Sequence, residues 1–360
     1  MTSTDQMTSS ATSAKVEPLL SVRNLVQEFV SRGPGGMKTG VVHAVSDVSF
    51  DLMPGETLGI VGETGSGKTT LARSIIQLDR PQSGEVIFEG QNLVGLSKRR
   101  LKQARANIQM VYQDPFGSLN PRWRIENVVE EPLLGYTRMK SAARRERVRE
   151  LLDMVGLNPD TYMSRRPMEL SGGQAQRVAI ARAIALNPKI IICDEAISSL
   201  DVLIQAQIIN LFEKLRDELG LSYLFIAHNL ATVKQVSDRV TVMYLGQLME
   251  LGPSEELYSA PLHPYTRALL DSIPGLDPET GVAHRPVAQQ GETPSPLNPP
   301  SGCRFRTRCL RAQDICAEVK PALLEHQQDH IVACHFPLDE DLGGVAAGVG
   351  VAARTDPQDA

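Results

Sequence analysis

A single glycine-rich run restricts the fold of this chain more than any other feature. Residues 62–69 read Gly-Glu-Thr-Gly-Ser-Gly-Lys-Thr and match the pattern G-x-x-x-x-G-K-[ST] at each fixed position. An apolar run over 57–61 precedes them, and large apolar residues recur at helical spacing over 70–78. A glycine-rich loop between a strand and a helix turns its backbone N–H groups toward an anion. The pattern therefore predicts an α/β core that binds nucleotide phosphates, and residues 62–69 are called the phosphate-binding loop.

The residue types in the phosphate-binding loop indicate their roles. Lys68 is expected to reach the β- and γ-phosphates of a nucleotide, and the Thr69 hydroxyl is expected to ligate Mg²⁺. The ATP contacts predicted from this stretch are Gly62, Glu63, Thr64, Gly65, Ser66, Gly67, Lys68, Thr69 and Thr70.

A second motif lies further along the chain, where residues 170–174 read Leu-Ser-Gly-Gly-Gln before a helical pattern. It resembles the signature sequence of ATP-binding-cassette (ABC) ATPases. The resemblance implies that the signature binds the γ-phosphate of ATP held by a second cassette, so that one copy cannot close its own site. The residues carried over on this basis are Ser171, Gly172, Gly173 and Gln174.

Further motifs follow the order of the ABC family. Asp194 and Glu195 end an apolar run over 190–193 and resemble the Walker B element. The resemblance implies that Asp194 holds Mg²⁺ and that Glu195 polarises the attacking water. His228 resembles the switch histidine that contacts the γ-phosphate, and Asp201 resembles the D-loop aspartate between cassettes.

Two other positions complete the expected ATP site. Gln113 resembles the Q-loop glutamine, which ligates Mg²⁺ and senses the γ-phosphate. Phe29 stands where the family usually has a tyrosine that stacks on adenine, and stacking needs only an aromatic face. The expected magnesium ligands are thus Thr69, Gln113 and Asp194.

Composition restricts the partners of the chain. The 360 residues carry a net charge of −5, so no general basic excess points to nucleic acid. No run of about 18 apolar residues occurs, and a membrane path would have to lie in other subunits. The Ser/Thr-rich N-terminus lacks the apolar core of a signal peptide.

The expected architecture is an ABC-type α/β cassette, with a RecA-like core, an antiparallel β subdomain and a helical subdomain. We expect disordered tails over 1–18 and 337–360, the cassette over 19–260, its helical subdomain over about 114–170, and an appendage over 261–336. Alternating polarity predicts antiparallel strands within 19–61, and further strands over 85–89 and 107–112. Helices are predicted over 141–155 and 206–219, and strands over 190–193, 223–227 and 240–244.

The C-terminal part resembles the oligopeptide/dipeptide importer subfamily. The resembling pieces are residues 112–122, His263-Pro264-Tyr265, and a cysteine-bearing segment ending in Cys334-His335. Four cysteines suit a [4Fe–4S] cluster, which some members of the subfamily carry; zinc and reduced structural cysteines are the alternatives. The candidate ligands are Cys303, Cys309, Cys316 and Cys334.

The resemblance implies an ATP-hydrolysing subunit of a peptide importer at the cytoplasmic face of the membrane. It implies a second cassette as partner, expected to be a different chain, with two transmembrane permease subunits and an extracellular peptide-binding protein. The same machine with nickel, glutathione or an oligosaccharide as cargo is one alternative. A soluble ABC ATPase acting on ribosomes or DNA is disfavoured by the single phosphate-binding loop and the lack of heptads, and a non-catalytic regulator by Glu195.

Overall fold

The computed structural model describes residues 17–228, 230–273 and 291–338. Its strands, numbered along the chain, are β1 (Leu20–Arg32), β2 (Lys38–Leu52), β3 (Thr57–Val61), β4 (Ser83–Phe88), β5 (Gln91–Asn92), β6 (Ile108–Val111), β7 (Ile190–Asp194), β8 (Ser222–Ala227), β9 (Arg239–Tyr244), β10 (Gln247–Pro253), β11 (Leu324–Gln327) and β12 (His330–Val332).

The α-helices of the described residues are also numbered along the chain, and five of them, α3 to α7, lie between β6 and β7. They are α1 (Lys68–Ile75), α2 (Lys98–Asn107), α3 (Pro115–Ser118), α4 (Ile125–Tyr136), α5 (Ser141–Met154), α6 (Pro159–Tyr162), α7 (Gly172–Ile184), α8 (Val202–Leu219), α9 (Leu230–Val236), α10 (Ser254–Ser259), α11 (Pro264–Asp271) and α12 (Ile315–Glu318).

Two sheets organise the molecule. A four-stranded antiparallel sheet has the order β2-β1-β4-β5, and an eight-stranded sheet has the order β11-β12-β10-β9-β3-β8-β7-β6. In the larger sheet β9, β3, β8, β7 and β6 pair in parallel. Every residue of β3, β7 and β8 is buried, as expected for parallel strands that are covered on both faces. The predicted α/β class with an antiparallel subdomain is confirmed.

The helical segment between β6 and β7 packs around a core of its own. Helix α5 buries Val148, Leu151 and Leu152, and α4, α5 and α7 contact one another. Three apolar residues at helical spacing on one face explain why a helix with many exposed charges folds here. The predicted helix over 141–155 is present and ends one residue earlier, at Met154.

Two local differences from the sequence expectations have identifiable causes. Helix α8 begins at Val202 rather than 206, because the Asp201 carboxylate accepts the Ile204 N–H at 3.0 Å and caps the helix there. Helix α2 and strand β5 lie within 85–112, where only strands were predicted. Helix α2 buries only Leu101 and Ala104, so its apolar signal is weak.

The expected appendage shares the sheet and the core of the cassette. Strand β12 pairs with β10, with Glu250 opposite Val332. Tyr265, Phe305 and Cys316 belong to the same buried cluster as the helical segment. Of the predicted disordered tails, residues 1–16 and 339–360 lie outside the described residues.

Candidate functional site

The phosphate-binding loop connects β3 to α1, and two of its glycines are sterically required. Gly67 has a φ of 102° at the start of α1, and a Cβ there would lie 2.0 Å from the carbonyl oxygen of Ala44. A Cβ on Gly62 would lie 2.1 Å from the carbonyl oxygen of Met243. No side chain fits at either place, so packing against β2 and the end of β9 fixes the course of the loop.

Lys68 is the first residue of α1, and its side chain folds back over the loop. The residue is 5% exposed, and its Nζ donates to the carbonyls of Gly62 at 2.8 Å and Glu63 at 3.0 Å. Burial lowers the pKa of Lys68, while the negative charges of Glu195, Asp194 and Glu63 act in the opposite direction. The ammonium is therefore held at the loop among carboxylates.

Thr69 and Asp194 meet although they lie on different elements. The Thr69 hydroxyl donates to Asp194 Oδ1 at 2.9 Å, and Asp194 is the last residue of β7. Burial raises the pKa of Asp194, and the hydrogen bond from Thr69 partly offsets that effect. One hydroxyl and one carboxylate oxygen, both of the hard kind that Mg²⁺ prefers, thus lie together beside the loop.

Glu195 and His228 form a second pair at the same edge of the sheet. His228 Nδ1 lies 3.8 Å from Glu195 Oε2. The Glu195 N–H donates to the carbonyl of Ile226 at 2.9 Å, and its φ is 50°. A glutamate in the left-handed region costs on the order of 1 kcal/mol or more, a cost that is concentrated at functional sites.

The remaining predicted ATP contacts lie around this centre. Gln113 is exposed just after β6, and its carbonyl accepts a bond from Ser199 at 3.4 Å; among the described contacts, none joins its side chain to Thr69 or Asp194. Phe29 is 40% exposed and lies opposite Val42 in the β1–β2 pair, so its ring is accessible. Thr64 and Gly65 are exposed, Ser66 is buried, and Thr70 is half-buried.

The signature residues form the exposed N-terminus of another helix. The Ser171 hydroxyl accepts the Gln174 N–H and caps α7. The Gln174 side-chain oxygen accepts the Ser171 N–H at 3.0 Å, which completes a capping box. Gln174 also donates to the Tyr162 hydroxyl at 3.0 Å, and Gly173 lies against Ile204. Their described contacts are thus with the helical segment and α8, not with the phosphate-binding loop of the same chain.

One network reaches the phosphate-binding loop from the C-terminal part of the chain, and no sequence motif predicted it. The Tyr265 hydroxyl accepts the Glu63 N–H at 3.0 Å, and Arg308 Nη1 donates to the Glu63 carboxylate at 2.9 and 3.1 Å. Position 63 is variable in the loop pattern, so only the structure identifies these contacts.

The four C-terminal cysteines line one small pocket, together with Phe305 and His335. Burial raises the pKa of the Cys303 and Cys309 thiols, and that of Cys334 to about 11. In the ranges that the structure describes, no group of three or more His, Cys, Asp or Glu side chains is arranged to hold a metal ion. Over the same ranges, no helix is both long and apolar enough to cross a membrane.

Comparisons with known proteins agree with this geometry. Residues 45–198 match the family model of the ABC transporter, and residues 249–316 match that of the oligopeptide/dipeptide transporter, C-terminal region. The chain therefore belongs to the ABC transporter family, and it is an ATPase of that family. Its C-terminal region is of the oligopeptide/dipeptide transporter type.

The curated relatives are similar over nearly their whole length. The oligopeptide transport ATP-binding protein AppF of Bacillus subtilis (strain 168) is 50% identical over 327 residues, 90% of this chain and 99% of that protein. OppF of Haemophilus influenzae is 48% identical over 322 residues, 88% of this chain and 97% of that protein. A solved dimer of the ATP-binding cassette MJ0796 bound to ADP and Pi is 30% identical, with a TM-score of 0.58, over 65% of this chain and 98% of that one.

Proposed function

We propose that this chain hydrolyses ATP to drive the import of oligopeptides or dipeptides through partner transmembrane subunits. The observation that carries the proposal is the Thr69–Asp194 bond of 2.9 Å beside the phosphate-binding loop, in a chain with an oligopeptide/dipeptide transporter C-terminal region. The names of AppF and OppF, as oligopeptide transport proteins, support the cargo.

In the proposed reaction, Lys68 exchanges the carbonyls of Gly62 and Glu63 for the β- and γ-phosphates of ATP. Glu195 accepts a hydrogen bond from the attacking water. His228, whose Nδ1 lies 3.8 Å from Glu195 Oε2, keeps that water in line and contacts the γ-phosphate. The exposed ring of Phe29 stacks on adenine.

Thr69, Asp194 and Gln113 are the proposed holders of Mg²⁺. The oxygens of Thr69 and Asp194 are hard ligands already in contact, so these two residues fit the ion. When bound, Mg²⁺ offsets the charge on the phosphates. Gln113 would join them after a movement of the exposed loop that follows β6.

A second cassette completes the proposed site. Ser171, Gly172, Gly173 and Gln174 would bind the γ-phosphate held by the partner, and Asp201 would lie between the two cassettes. The exposure of the α7 N-terminus supports this arrangement, as does the dimeric state of the similar MJ0796 cassette. We propose a different chain as the partner, two permease subunits on which both cassettes dock at the cytoplasmic face, and an extracellular peptide-binding protein.

We further propose that residues 19–260 are the cassette, with its helical subdomain over 114–170, and that residues 261–336 are an appendage holding a [4Fe–4S] cluster. Four cysteines around one pocket fit such a group. A cubane cluster takes one thiolate per iron, and the number of cysteines at the pocket equals that requirement. The group would stabilise the appendage against the cassette.

The test of the function is transport in a defined system. The chain, its partner cassette and the two permeases would be reconstituted in liposomes with the binding protein. We expect peptides to raise ATP hydrolysis and to accumulate inside, and a complex carrying Glu195→Gln to do neither. Stimulation by nickel, glutathione or an oligosaccharide but not by peptides would contradict the proposed cargo.

A further inference from the structure

Glu63 makes more contacts than a variable position in a phosphate-binding loop requires. Its N–H donates to the Tyr265 hydroxyl at 3.0 Å, and its carbonyl accepts from Lys68 Nζ at 3.0 Å. Its carboxylate accepts from Arg308 Nη1 at 2.9 and 3.1 Å and from the Thr293 hydroxyl at 2.9 Å. The backbone and the side chain of one loop residue are therefore both fixed from the C-terminal part of the chain.

Arg308 is itself held rigidly. Its side chain is 6% exposed, and its guanidinium lies 5.7 Å from the ring centre of Tyr244 and 5.9 Å from that of Phe305. These rings pack with Tyr265, whose centroid is 4.6 Å from that of Tyr244 and 5.2 Å from that of Phe305. The cluster joins β9, α11 and the cysteine-bearing segment, so a movement of that segment would displace the guanidinium.

We propose that Arg308 is a positioning residue for the phosphate-binding loop: through Glu63 it holds the first half of the loop in its nucleotide-binding shape. The Arg308–Glu63 contact, rather than the docking of the cysteine-bearing segment as a whole, then raises the affinity for ATP. The inference rests on the proposed binding of ATP. It does not depend on the cargo or on the proposed iron–sulfur cluster.

The physical reason is preorganisation. The carbonyls of Gly62 and Glu63 must stay in place while Lys68 leaves them for phosphate, and a loop that is already ordered loses less entropy on binding. Glu195 and His228 follow β7 and β8, strands without a contact to Arg308 among those described. Loss of the Arg308–Glu63 pair should therefore raise KM and leave kcat nearly unchanged.

The experiment is a double-mutant cycle on the full-length chain, with affinity measured by equilibrium titration with MgATP. Arg308→Met and Glu63→Met each remove one partner at similar length. We expect each single variant to bind MgATP on the order of threefold to tenfold more weakly than the wild type. The double variant should bind no more weakly than the single variant with the lower affinity. Arg308→Lys, which restores a charged donor, should recover most of the affinity.

Lys320→Met is the matched control. Lys320 belongs to the same segment and pairs with Asp47 of β2 at 2.7 Å, and no described hydrogen bond or ion pair joins either residue to the phosphate-binding loop. We expect this variant to keep the wild-type affinity for MgATP. An equal loss of affinity in Lys320→Met, strict additivity in the cycle, or wild-type affinity in Arg308→Met would overturn the proposal.

If Arg308→Met fails to fold, Glu63→Met and Arg308→Lys decide the question. Wild-type affinity in Glu63→Met would overturn the proposal, and weakened affinity in Glu63→Met together with near-wild-type affinity in Arg308→Lys would support it. Because binding is measured on the chain alone, a failure of peptide import in liposomes does not affect either result.

Discussion

Glu195 directly follows the last residue of β7, with a φ of 50° and its side chain 3.8 Å from His228. Its N–H bond to Ile226 fixes the backbone, so the carboxylate is directed by the sheet and not by a flexible loop. Lys68 is held by carbonyls of the phosphate-binding loop, and the negative charge of Glu195 acts on its ammonium. The centre thus combines a group suited to activate water with a group suited to bind phosphate in the ground state.

At this scale we predict that Glu195→Gln abolishes turnover and keeps ATP binding. The amide fills the same space but cannot act as a base, so hydrolysis should fall on the order of a hundredfold or more, and the complex should accumulate with ATP bound. Single-turnover hydrolysis and nucleotide binding in the assembled complex measure both effects. Glu213→Gln, on the exposed face of α8, is the control; hydrolysis by Glu195→Gln within a few-fold of wild type would refute the role of Glu195.

Among the elements, the C-terminal strands have the least local support. All four residues of β11 are exposed, and β12 is three residues long. They exist because β12 pairs with β10, and because a buried hydrogen bond of 2.7 Å joins His330 Nε2 of β12 to Glu250 Oε1 of β10. The same Glu250 carboxylate accepts the N–H groups of Leu262 and His263 at 2.7 and 2.9 Å, just before α11. One buried carboxylate therefore ties together three parts of this region.

For this region we predict a bound iron–sulfur group. Anaerobically purified protein should be brown and contain about four irons per chain, as a four-thiolate cubane requires. Cys309→Ser should lose iron and loosen the C-terminal segment, as measured by metal analysis and limited proteolysis. Cys193→Ala is the control, since Cys193 is buried in β7 outside the pocket. Stoichiometric zinc would indicate the zinc alternative, and metal-free protein with normal assembly of Cys309→Ser would leave reduced structural cysteines.

At the scale of the whole molecule, the chain has two helix N-termini that we propose bind phosphate. They do not contact each other in the described structure. Helix α1 starts at the phosphate-binding loop, and α7 starts at the exposed Ser171. In the proposed arrangement, one ATP is bound by the α1 N-terminus of one cassette and the α7 N-terminus of a second, so the proposed function at this scale requires a pair.

Two variants separate the proposed roles of these helix N-termini. Lys68→Ala should weaken ATP binding by the chain alone, because Lys68 is expected to contact phosphate in the ground state. Ser171→Arg should leave that binding intact and prevent ATP-dependent pairing with the second cassette, because a long cation would fill the interface. Equilibrium titration and light scattering measure the two properties. Equal loss of nucleotide affinity in both variants would contradict a site shared between cassettes.

The sequence by itself determined the class of the fold and the type of site. The loop pattern, the signature and the buried runs of β3, β7 and β8 depend on neighbours within a few residues, so local spacing predicts them. Only the tertiary structure decided which distant residues meet. The resemblance already placed Thr69 and Asp194 at one magnesium ion, but no motif brought Glu63 to Tyr265, 202 positions away, or to Arg308, 245 positions away. Such contacts follow from the order of strands in the sheet and from packing of the C-terminal segment, which no local pattern encodes.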